Sequence, residues 1–532
     1  MKLEIYDTTL RDGAQSEGIN YSVSDKLKII KKLDNLGVHY IEVGWPGANN
    51  VDDEVFSAIK NLKLKNSIIT AFGSTRKADT KAEDDVVLNN IIKSGVKVAT
   101  IFGKSWDFHV TKALNTTLKE NLLMVEESIK YLKNKGIRVF FDAEHFFDGY
   151  KNNPNYALDV IKTASRAGAE RIILCDTNGG SVNGEIYKIT KIALETLDGK
   201  TQLGVHCHND SDMAVANSLA AADAGCLQIQ GTINGYGERC GNANLCSIIP
   251  LLQIKKGYEI IGDNIAKLTD TSRQIAEISN ISLSSSAPFV GISAFAHKAG
   301  VHASGVRKNS KTYEHLNPES VGNTRRFLIS NQAGTASIKE KLQNLKFIKD
   351  ISQNEIKDII KKIKKLEWQG FAFEGADASF ELLAMKTLNK LPKYFEVCGF
   401  RIIGDTTGST STIAEASVKV KIDDEIFHTV SEGDGPVNAL NKALQKALIQ
   451  KYPQVENIKL NDFKVRILDS KKATAATTRV MIETTDGINK WDTVGVNANI
   501  IEASYMAIVD SITYGLILSE AKWEKTAEKT TN

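Results

Sequence analysis

Through its first half the chain repeats one short phrase: a stretch with apolar residues at helical spacing, a glycine, then a β-branched and aromatic run. It reads "KKLDNLGVHYIEVGW", "IIKSGVKVATIFG", "YLKNKGIRVFFDAEH", "ASRAGAERIILCDT" and "AAADAGCLQIQGTI". Glycine after a helix supplies a left-handed cap that other residues adopt at a cost, and the apolar run that follows suits a strand buried on both faces. Adding the strands that lack this cue gives eight: "LEIYDTTL", "YIEVGW", "SIITAFG", "KVATIFG", "RVFFDAEH", "RIILCDTN", "QLGVHCHN" and "LQIQGTIN". Strict alternation of strand and helix predicts a parallel sheet, and eight units in roughly 250 residues predict an α/β fold of the (β/α)8 TIM-barrel kind. A doubly wound open sheet is the alternative, and it would need a reversal of strand order.

In such a barrel the functional mouth lies at the carboxyl ends of the strands. Polar residues gather there: Asp7, Arg11 and Asp12 after the first strand, Glu42, Glu144, Asp176 and Thr177, His206 and His208, and Asn234 after the last. In "HCHND" the two histidines stand at i and i+2, which on a strand share one face. That spacing alone fits a structural pair as well as a metal pair. With Asp12 beside them they become an open divalent site, acceptable to Mg, Mn, Zn or Fe. The loop "GYGERCGNAN" (235–244) does not fit the dinucleotide fingerprint. Its backbone amides can cradle an anion or shape the surroundings of a metal, with Asn242 as an outer ligand. It reads equally as a tight turn that opens a helix.

The alternation stops after about residue 270. The run "EIKDIIKKIKKLEW" (355–368) reads as an amphipathic helix with a solvated basic face. In "SAFAHKAGVHASGVRKN" (293–309), pattern alone makes His302 a surface or packing residue. From about residue 391, "AEASVKVKIDDEIFHTVSEGDGPVNALNKALQKALIQ" and "TRVMIETTDGINKWDTVGVNANIIEASYMAIVDSITYGL" read alike, as strand, turn, strand, loop, helix. The expected organisation is a barrel over 1–270, a mostly helical linker region over 271–390, an α+β domain of duplicated β-β-α lobes over 391–520, and a tail over 521–532. The loop "SEGDGPVNAL" sets backbone amides at a helix N-terminus, a place for a carboxylate.

Composition adds exclusions. A chain of 532 residues with 42% hydrophobic and 25% charged residues is an ordinary multidomain globular protein. A formal charge of +3 calls for neither nucleic acid nor membrane. The six cysteines form no C-x-x-C pair, and no apolar stretch reads as a membrane span or signal segment, so a reduced, cytoplasmic protein is expected.

Taken together, "YDTTLRDGAQ", "YIEVGWPG", "HCHNDSDMAVANSLAA" and "NGYGERCGN" resemble the acyl-CoA-condensing aldolase-type barrels, the group of 2-isopropylmalate, homocitrate and citramalate synthases. The resemblance implies a divalent cation (Mn2+, Mg2+ or Zn2+) held by Asp12, His206 and His208, with Asn242 beside it. It implies that Arg11 stabilises the developing alkoxide, that Gln15 and Thr177 contact substrate, and that Glu144 orients water or a proton donor. His145 follows Glu144 where many relatives have Asp. His302 matches a candidate base and Tyr313 a tyrosine near the thioester, on a segment that crosses to the partner subunit in a homodimer. The finer wording, "AFGSTRKA", "FDAEHFFDGYKNNP" and "LCDTNGG", is most similar to the citramalate synthases. That implies condensation of acetyl-CoA with pyruvate on the route to isoleucine, with isoleucine as the feedback ligand of a C-terminal regulatory domain. Condensation with 2-oxoisovalerate, as in 2-isopropylmalate synthases, is the alternative. A lyase of the 3-hydroxy-3-methylglutaryl-CoA type is further off, since a degradative lyase has little use for an end-product sensor.

Overall fold

The computed structural model describes residues 2–530 apart from 61, 198, 200, 299, 328–341, 343–350, 406–412 and 469–475. They separate into two units, Met1–Phe295 with Leu316–Arg325, and Ala296–His315 with Arg326–Asn532.

In the first unit eight strands close into a parallel barrel in sequence order: β1 (Glu4–Asp7), β2 (Tyr40–Glu42), β3 (Ile68–Ser74), β4 (Val98–Lys104), β5 (Arg138–Glu144), β6 (Arg171–Asp176), β7 (Gln202–Cys207) and β8 (Gln228–Gly231). The helix–glycine–strand phrase is literal. Helix Val23–Leu36 starts on a capping box of Ser22 and Asp25 and ends at Gly37 in the left-handed conformation. Helices Val86–Ser94, Pro154–Ala167 and Ala214–Ala224 end in the same way at Gly95, Gly168 and Gly225.

Parity decides which side chains enter the barrel. Tyr6, Tyr40, Val98 and Phe140, from four different strands, form a buried cluster separate from the main core. Register neighbours in a parallel sheet share a face, and so do residues two apart on one strand. The inward set therefore runs from Tyr6 to Gln230, from Gln230 to His206 and from His206 to Cys175. It also takes in Glu42, Phe72, Phe102, Lys104, Asp142 and Glu144. Asp7 and Asp176 have the opposite parity, which corrects their place among the mouth residues. Asp7 accepts hydrogen bonds from Thr9 N at 3.0 Å and Thr9 Oγ1 at 2.9 Å, and Asp176 accepts one from Ser181 Oγ at 2.9 Å. Both carboxylates tie loops. Asn234 is likewise structural: β8 ends at Gly231, and the Asn234 amide donates to Tyr236 Oη at 3.1 Å and Ser272 O at 3.0 Å.

A buried ion pair sets the turn after β2. Lys26 Nζ lies 2.5 Å from Asp52 Oδ1 and 2.9 Å from Val43 O, and Asp52 Oδ2 accepts from Trp45 N at 3.0 Å. The turn thereby holds Trp45 edge-on to Phe72 and Phe102, at centroid distances of 5.6 and 5.9 Å.

The second unit contains the helix Gln353–Trp368, which opens on a capping box of Ser352 and Glu355 and buries Ile356, Ile359 and Ile363. Its two lobes each carry one strand more than the hydrophobic pattern marks. Antiparallel strands Glu396–Asp405, Ile413–Ile422 and Glu425–Gly433 precede helix Pro436–Leu448. Strands Lys459–Ile467, Thr478–Thr485 and Lys490–Asn497 precede helix Ile500–Thr530. The leading strands escape detection because they lie at the sheet edges and their side chains are mostly half-buried or exposed, so they lack the alternation of "IAEASVKVKI". The expectation that no stretch has membrane-span character needs correction. Ile500–Glu520 is long and apolar enough by length and composition, and more than half of it is buried, as in the core helix of a globular unit. Thr493 Oγ1 donates to Ala507 O at 2.8 Å, and Trp491 Nε1 donates to Ser511 O at 3.1 Å.

Replacing Asp52 by Ala leaves the Lys26 ammonium buried without its partner, and should cost about 3–5 kcal/mol of stability in urea unfolding. A loss below about 1 kcal/mol would show that water solvates the pair.

Candidate active site

Arg11 follows β1, and two carboxylates and one ring fix its guanidinium. Nε lies 2.6 Å from Glu42 Oε1, Nη1 lies 2.9 Å from Asp12 Oδ2, and the guanidinium carbon sits 3.7 Å from the centroid of Phe72. Burial disfavours the charged form, but Glu42 and Asp12 outweigh it and raise the guanidinium pKa above its ordinary value. Among the described residues Arg11 Nη2 has no hydrogen-bond partner, so a donor remains for a substrate oxygen. Glu42 is anchored from both oxygens: it also accepts from Tyr6 Oη at 2.5 Å and Thr8 Oγ1 at 2.6 Å.

Asp12, His206 and His208 are buried and converge at the mouth. His206 Nε2 lies 3.5 Å from Asp12 Oδ2 and 3.4 Å from His208 Nε2. His206 Nδ1 lies 3.0 Å from Gln230 Oε1, an acceptor only, so that nitrogen carries the proton and Nε2 presents a lone pair. Burial would raise the Asp12 carboxyl, but Arg11, followed by His206 and His208, holds it well below the usual carboxylate range. Burial first, then His206, brings His208 down to about 4. Asp12 is thus held as an anion and His208 as a neutral imidazole, the protonation states a divalent cation requires of such ligands.

Asn242 completes the arrangement. Its Nδ2 donates to Asp12 Oδ1 at 3.0 Å and to Tyr236 O at 3.1 Å, while its buried Oδ1 has no partner among the described residues. The glycines of "GYGERCGN" permit this approach. A Cβ at Gly237 (φ +152°) would stand 2.2 Å from Asn242 Nδ2, and one at Gly241 (φ +87°) would stand 2.0 Å from Gly235 O. Two ring nitrogens facing each other, a carboxylate and an orphaned amide oxygen form a donor set that fits a divalent cation.

Beside this cluster, Glu144 pairs with Lys104, its register neighbour on β4. Thr177 Oγ1 accepts from His145 N at 2.9 Å, so its own hydroxyl hydrogen is free to donate. His145 adopts the left-handed conformation (φ +56°) and its Nδ1 lies 3.4 Å from Asp148 Oδ2. A cavity of about 480 Å³ is lined by Arg11, Gln15, Tyr21 and Trp45. His302 and Tyr313 belong to the second unit, where their rings stack at 4.2 Å. The first unit therefore brings together Arg11, Asp12, His206, His208 and Asn242 by direct contact and sets Gln15 on the cavity that Arg11 also lines.

Sequence reasoning missed Lys104, Gln230, Asp142 and Arg239. The first three have inward parity. Asp142 is buried between Phe140 and Glu144 on β5, and burial, then Glu42, raises its carboxyl well above the ordinary value. Arg239 clamps Asp210 with two bonds of 2.7 and 2.9 Å and donates to Thr177 O at 2.8 Å, joining the loops after β6, β7 and β8. The two glutamines of "LQIQG", Gln228 and Gln230, alternating with apolar residues in a buried strand, were the available signal for Gln230.

Three family profiles tile the chain: HMGL-like over residues 2–281, homocitrate synthase post-HMGL domain-like over 289–370, and LeuA allosteric (dimerisation) domain over 374–516. The chain is 50% identical to the (R)-citramalate synthase of Aquifex aeolicus over 98% of each chain. It is 48% identical to that of Geobacter sulfurreducens, over 97% of this chain and 98% of the relative. The chain belongs to the citramalate synthase family. A probable 2-isopropylmalate synthase of Methanopyrus kandleri is more distant, 32% identical over 96% of this chain and 98% of that one. Family membership agrees with the motifs that first suggested it, and the citramalate synthases lie well inside the 2-isopropylmalate synthases in identity.

Two outcomes follow from this geometry. Gln230→Leu removes the acceptor that sets the His206 tautomer, and should weaken Mn2+ binding by about 10–100-fold in a titration. Unchanged affinity would show that another group orients the ring. The second concerns Asp7, whose carboxyl burial pushes up to about 7. A carboxyl raised above its unfolded value near ~4 stabilises the fold fully below that pH, and the contribution is lost as pH rises through the folded pKa. Asp7→Asn should flatten the fall in unfolding free energy between the two pKa values, as read by urea denaturation. A slope like that of wild type would mean that Asp7 ionises at the ordinary pH.

Proposed function

We propose that this chain condenses acetyl-CoA with pyruvate and hydrolyses the thioester to citramalate and CoA, a transfer that converts an acyl to an alkyl group, on the route to isoleucine. The observation that carries the reading is the convergence of Asp12, His206 and His208 beside an Arg11 with an unused donor, in a chain 44–50% identical to five (R)-citramalate synthases.

Asp12, His206 and His208, with Asn242 Oδ1 beside them, would hold the divalent cation, Mn2+, Mg2+ or Zn2+. When bound, that cation supplies Lewis-acid polarisation of the 2-oxo acid's ketone. The protein supplies the rest. Thr177, its oxygen already occupied by His145 N, donates its hydroxyl hydrogen to the acceptor's carboxylate. Gln15 contacts substrate from the cavity that it shares with Arg11. His302 takes a methyl proton from acetyl-CoA, with Tyr313 against the thioester. The enolate carbon attacks the ketone, and negative charge passes to the former ketone oxygen. Arg11 meets that charge with Nη2, and because Glu42, Asp12 and Phe72 already fix the guanidinium, little reorganisation is required. Glu144, paired with Lys104, orients the water that hydrolyses the thioester.

The second unit supports a dimer and a regulatory role. Its match is to an allosteric (dimerisation) domain, and its sheets leave Ile413, Ile426, Leu460 and Ile467 exposed. We assign homodimerisation with shared active sites to this chain, isoleucine as feedback ligand, and the free backbone N–H groups of the loop "SEGDGPVNAL", Pro436 excepted, as the carboxylate site. A cytoplasmic location goes with this reading.

The test is CoA release from acetyl-CoA with pyruvate and, separately, with 2-oxoisovalerate, with and without chelator. Metal-dependent turnover favouring pyruvate is expected. A preference for 2-oxoisovalerate would move the chain to the leucine route, and turnover indifferent to chelator would overturn the metal assignment.

A further inference from the structure

Thioester hydrolysis develops negative charge a second time, on the thioester oxygen, one methylene away from the carbon whose oxygen Arg11 meets. Arg11 is held by Glu42 and Asp12 on the side of the metal cluster. Arg239 is engaged by Asp210 and by Thr177 O. The cation beside Glu144 is Lys104.

Lys104 ends β4 with inward parity, and its register neighbour on β5 is Glu144. The two strand ends are locked together: Ser105 N and Ser105 Oγ both donate to Glu144 O, at 3.2 and 2.6 Å. The buried Asn121 donates to Lys104 O at 2.8 Å. Phe102, two residues earlier on the same face, stacks on Phe72, and Lys104 Nζ lies 5.3 Å from the Phe102 centroid. The ammonium is thus bounded by a ring on one side and a carboxylate on the other.

Nζ donates to Glu144 Oε2, its one hydrogen bond among the described residues. An ammonium carries three N–H groups, so two remain. Glu144 Oε1 likewise has no hydrogen-bond partner among the described residues, and both side chains are partly exposed, so water reaches them. One ion pair therefore offers a free acceptor for a water and free donors for an oxyanion, side by side.

We propose that Lys104 is a catalytic residue of the hydrolytic step, its ammonium donating to the thioester oxygen while Glu144 activates the water. This rests on the reading of Glu144 as the group that orients that water. Glu144 Oε1 takes a proton from the water as the water oxygen bonds to the thioester carbon. The carbonyl π electrons move to the thioester oxygen, and the free N–H groups of Lys104 meet the charge. When the carbonyl re-forms, the C–S bond breaks and the proton on Glu144 passes to the departing thiolate, giving CoA. The new carboxyl loses its proton to solvent. Arg11 thus serves the alkoxide of condensation and Lys104 the oxyanion of hydrolysis, so removing Lys104 should separate the two steps.

The experiment is rapid-quench single turnover of the full chain with Mn2+, acetyl-CoA and pyruvate, with citramalyl-CoA and citramalate quantified by mass spectrometry. Lys104→Met, Lys104→Arg, Glu144→Gln and the double variant Lys104→Met with Glu144→Gln are run beside wild type, each checked for folding by circular dichroism. Lys104→Met should form citramalyl-CoA at close to the wild-type rate and hydrolyse it about 100-fold more slowly or worse, and Lys104→Arg should restore part of the loss. The double variant should hydrolyse more slowly than Glu144→Gln alone. A double variant no slower than Glu144→Gln would make Lys104 a mere holder of Glu144 and overturn the proposal. So would citramalate formed by Lys104→Met at the wild-type rate, or loss of citramalyl-CoA formation in that variant. Wild type that forms neither product from pyruvate would overturn the condensation reading, and the role of Lys104 with it.

Discussion

Arg11 is the keystone of the barrel mouth. Two carboxylates, Glu42 and Asp12, are buried within hydrogen-bond distance of its guanidinium, and an aromatic face lies against it. Without that charge the two acids would repel each other in a poorly solvated space, and Asp12 would lose the main influence that keeps it ionised. With it, Asp12 stays an anion, Glu42 becomes the anchor for Tyr6 and Thr8, and the two imidazoles of β7 find a carboxylate opposite them. Lysine would not serve equally: one ammonium cannot hold two carboxylates in a fixed fork, lie flat on a ring and keep a further donor in reserve.

The barrel was legible because its grammar is local. Glycine caps, helical spacing and buried apolar runs each act within a dozen residues, and every strand they marked is present. The convergence of His206 and His208 was legible because i, i+2 parity, carried one residue past the end of β7, sets both on the same side. The wider gathering of polar residues was less reliable. Asp7 and Asp176 stand at strand ends as Glu144 does, but they have outward parity and are spent on Thr9 and Ser181. Carrying the parity of His206 around the ring would have excluded them and pointed to Gln230 and Lys104. That inference needs strand register, which a single sequence does not display. The leading strands of the C-terminal lobes were hidden for a related reason: edge strands with partly exposed faces carry little periodicity.

The two units handle charge differently. At the barrel mouth His208 Nδ1, Gln230 Nε2, Asp142 Oδ1 and Asn242 Oδ1 are buried without a hydrogen-bond partner among the described residues, and Asn242 Oδ1 with Arg11 Nη2 serves the chemistry proposed there. In the second unit the lobes pack helices on antiparallel sheets, and the Asp510 carboxylate is met by Ser379 Oγ at 2.8 Å. At the mouth the unmatched group is the informative one, because a folded chain rarely leaves buried polar atoms without a partner.

The central claim is that Asp12, His206 and His208 form one divalent-cation site per chain. It is tested most directly by electron paramagnetic resonance of Mn2+ titrated into the purified full-length protein and into His208→Ala, with no substrate present. One Mn2+ bound per wild-type chain is expected, with loss of that site in the variant, whose circular dichroism remains that of the folded protein. Equal Mn2+ binding by both proteins, or none by either, would contradict it.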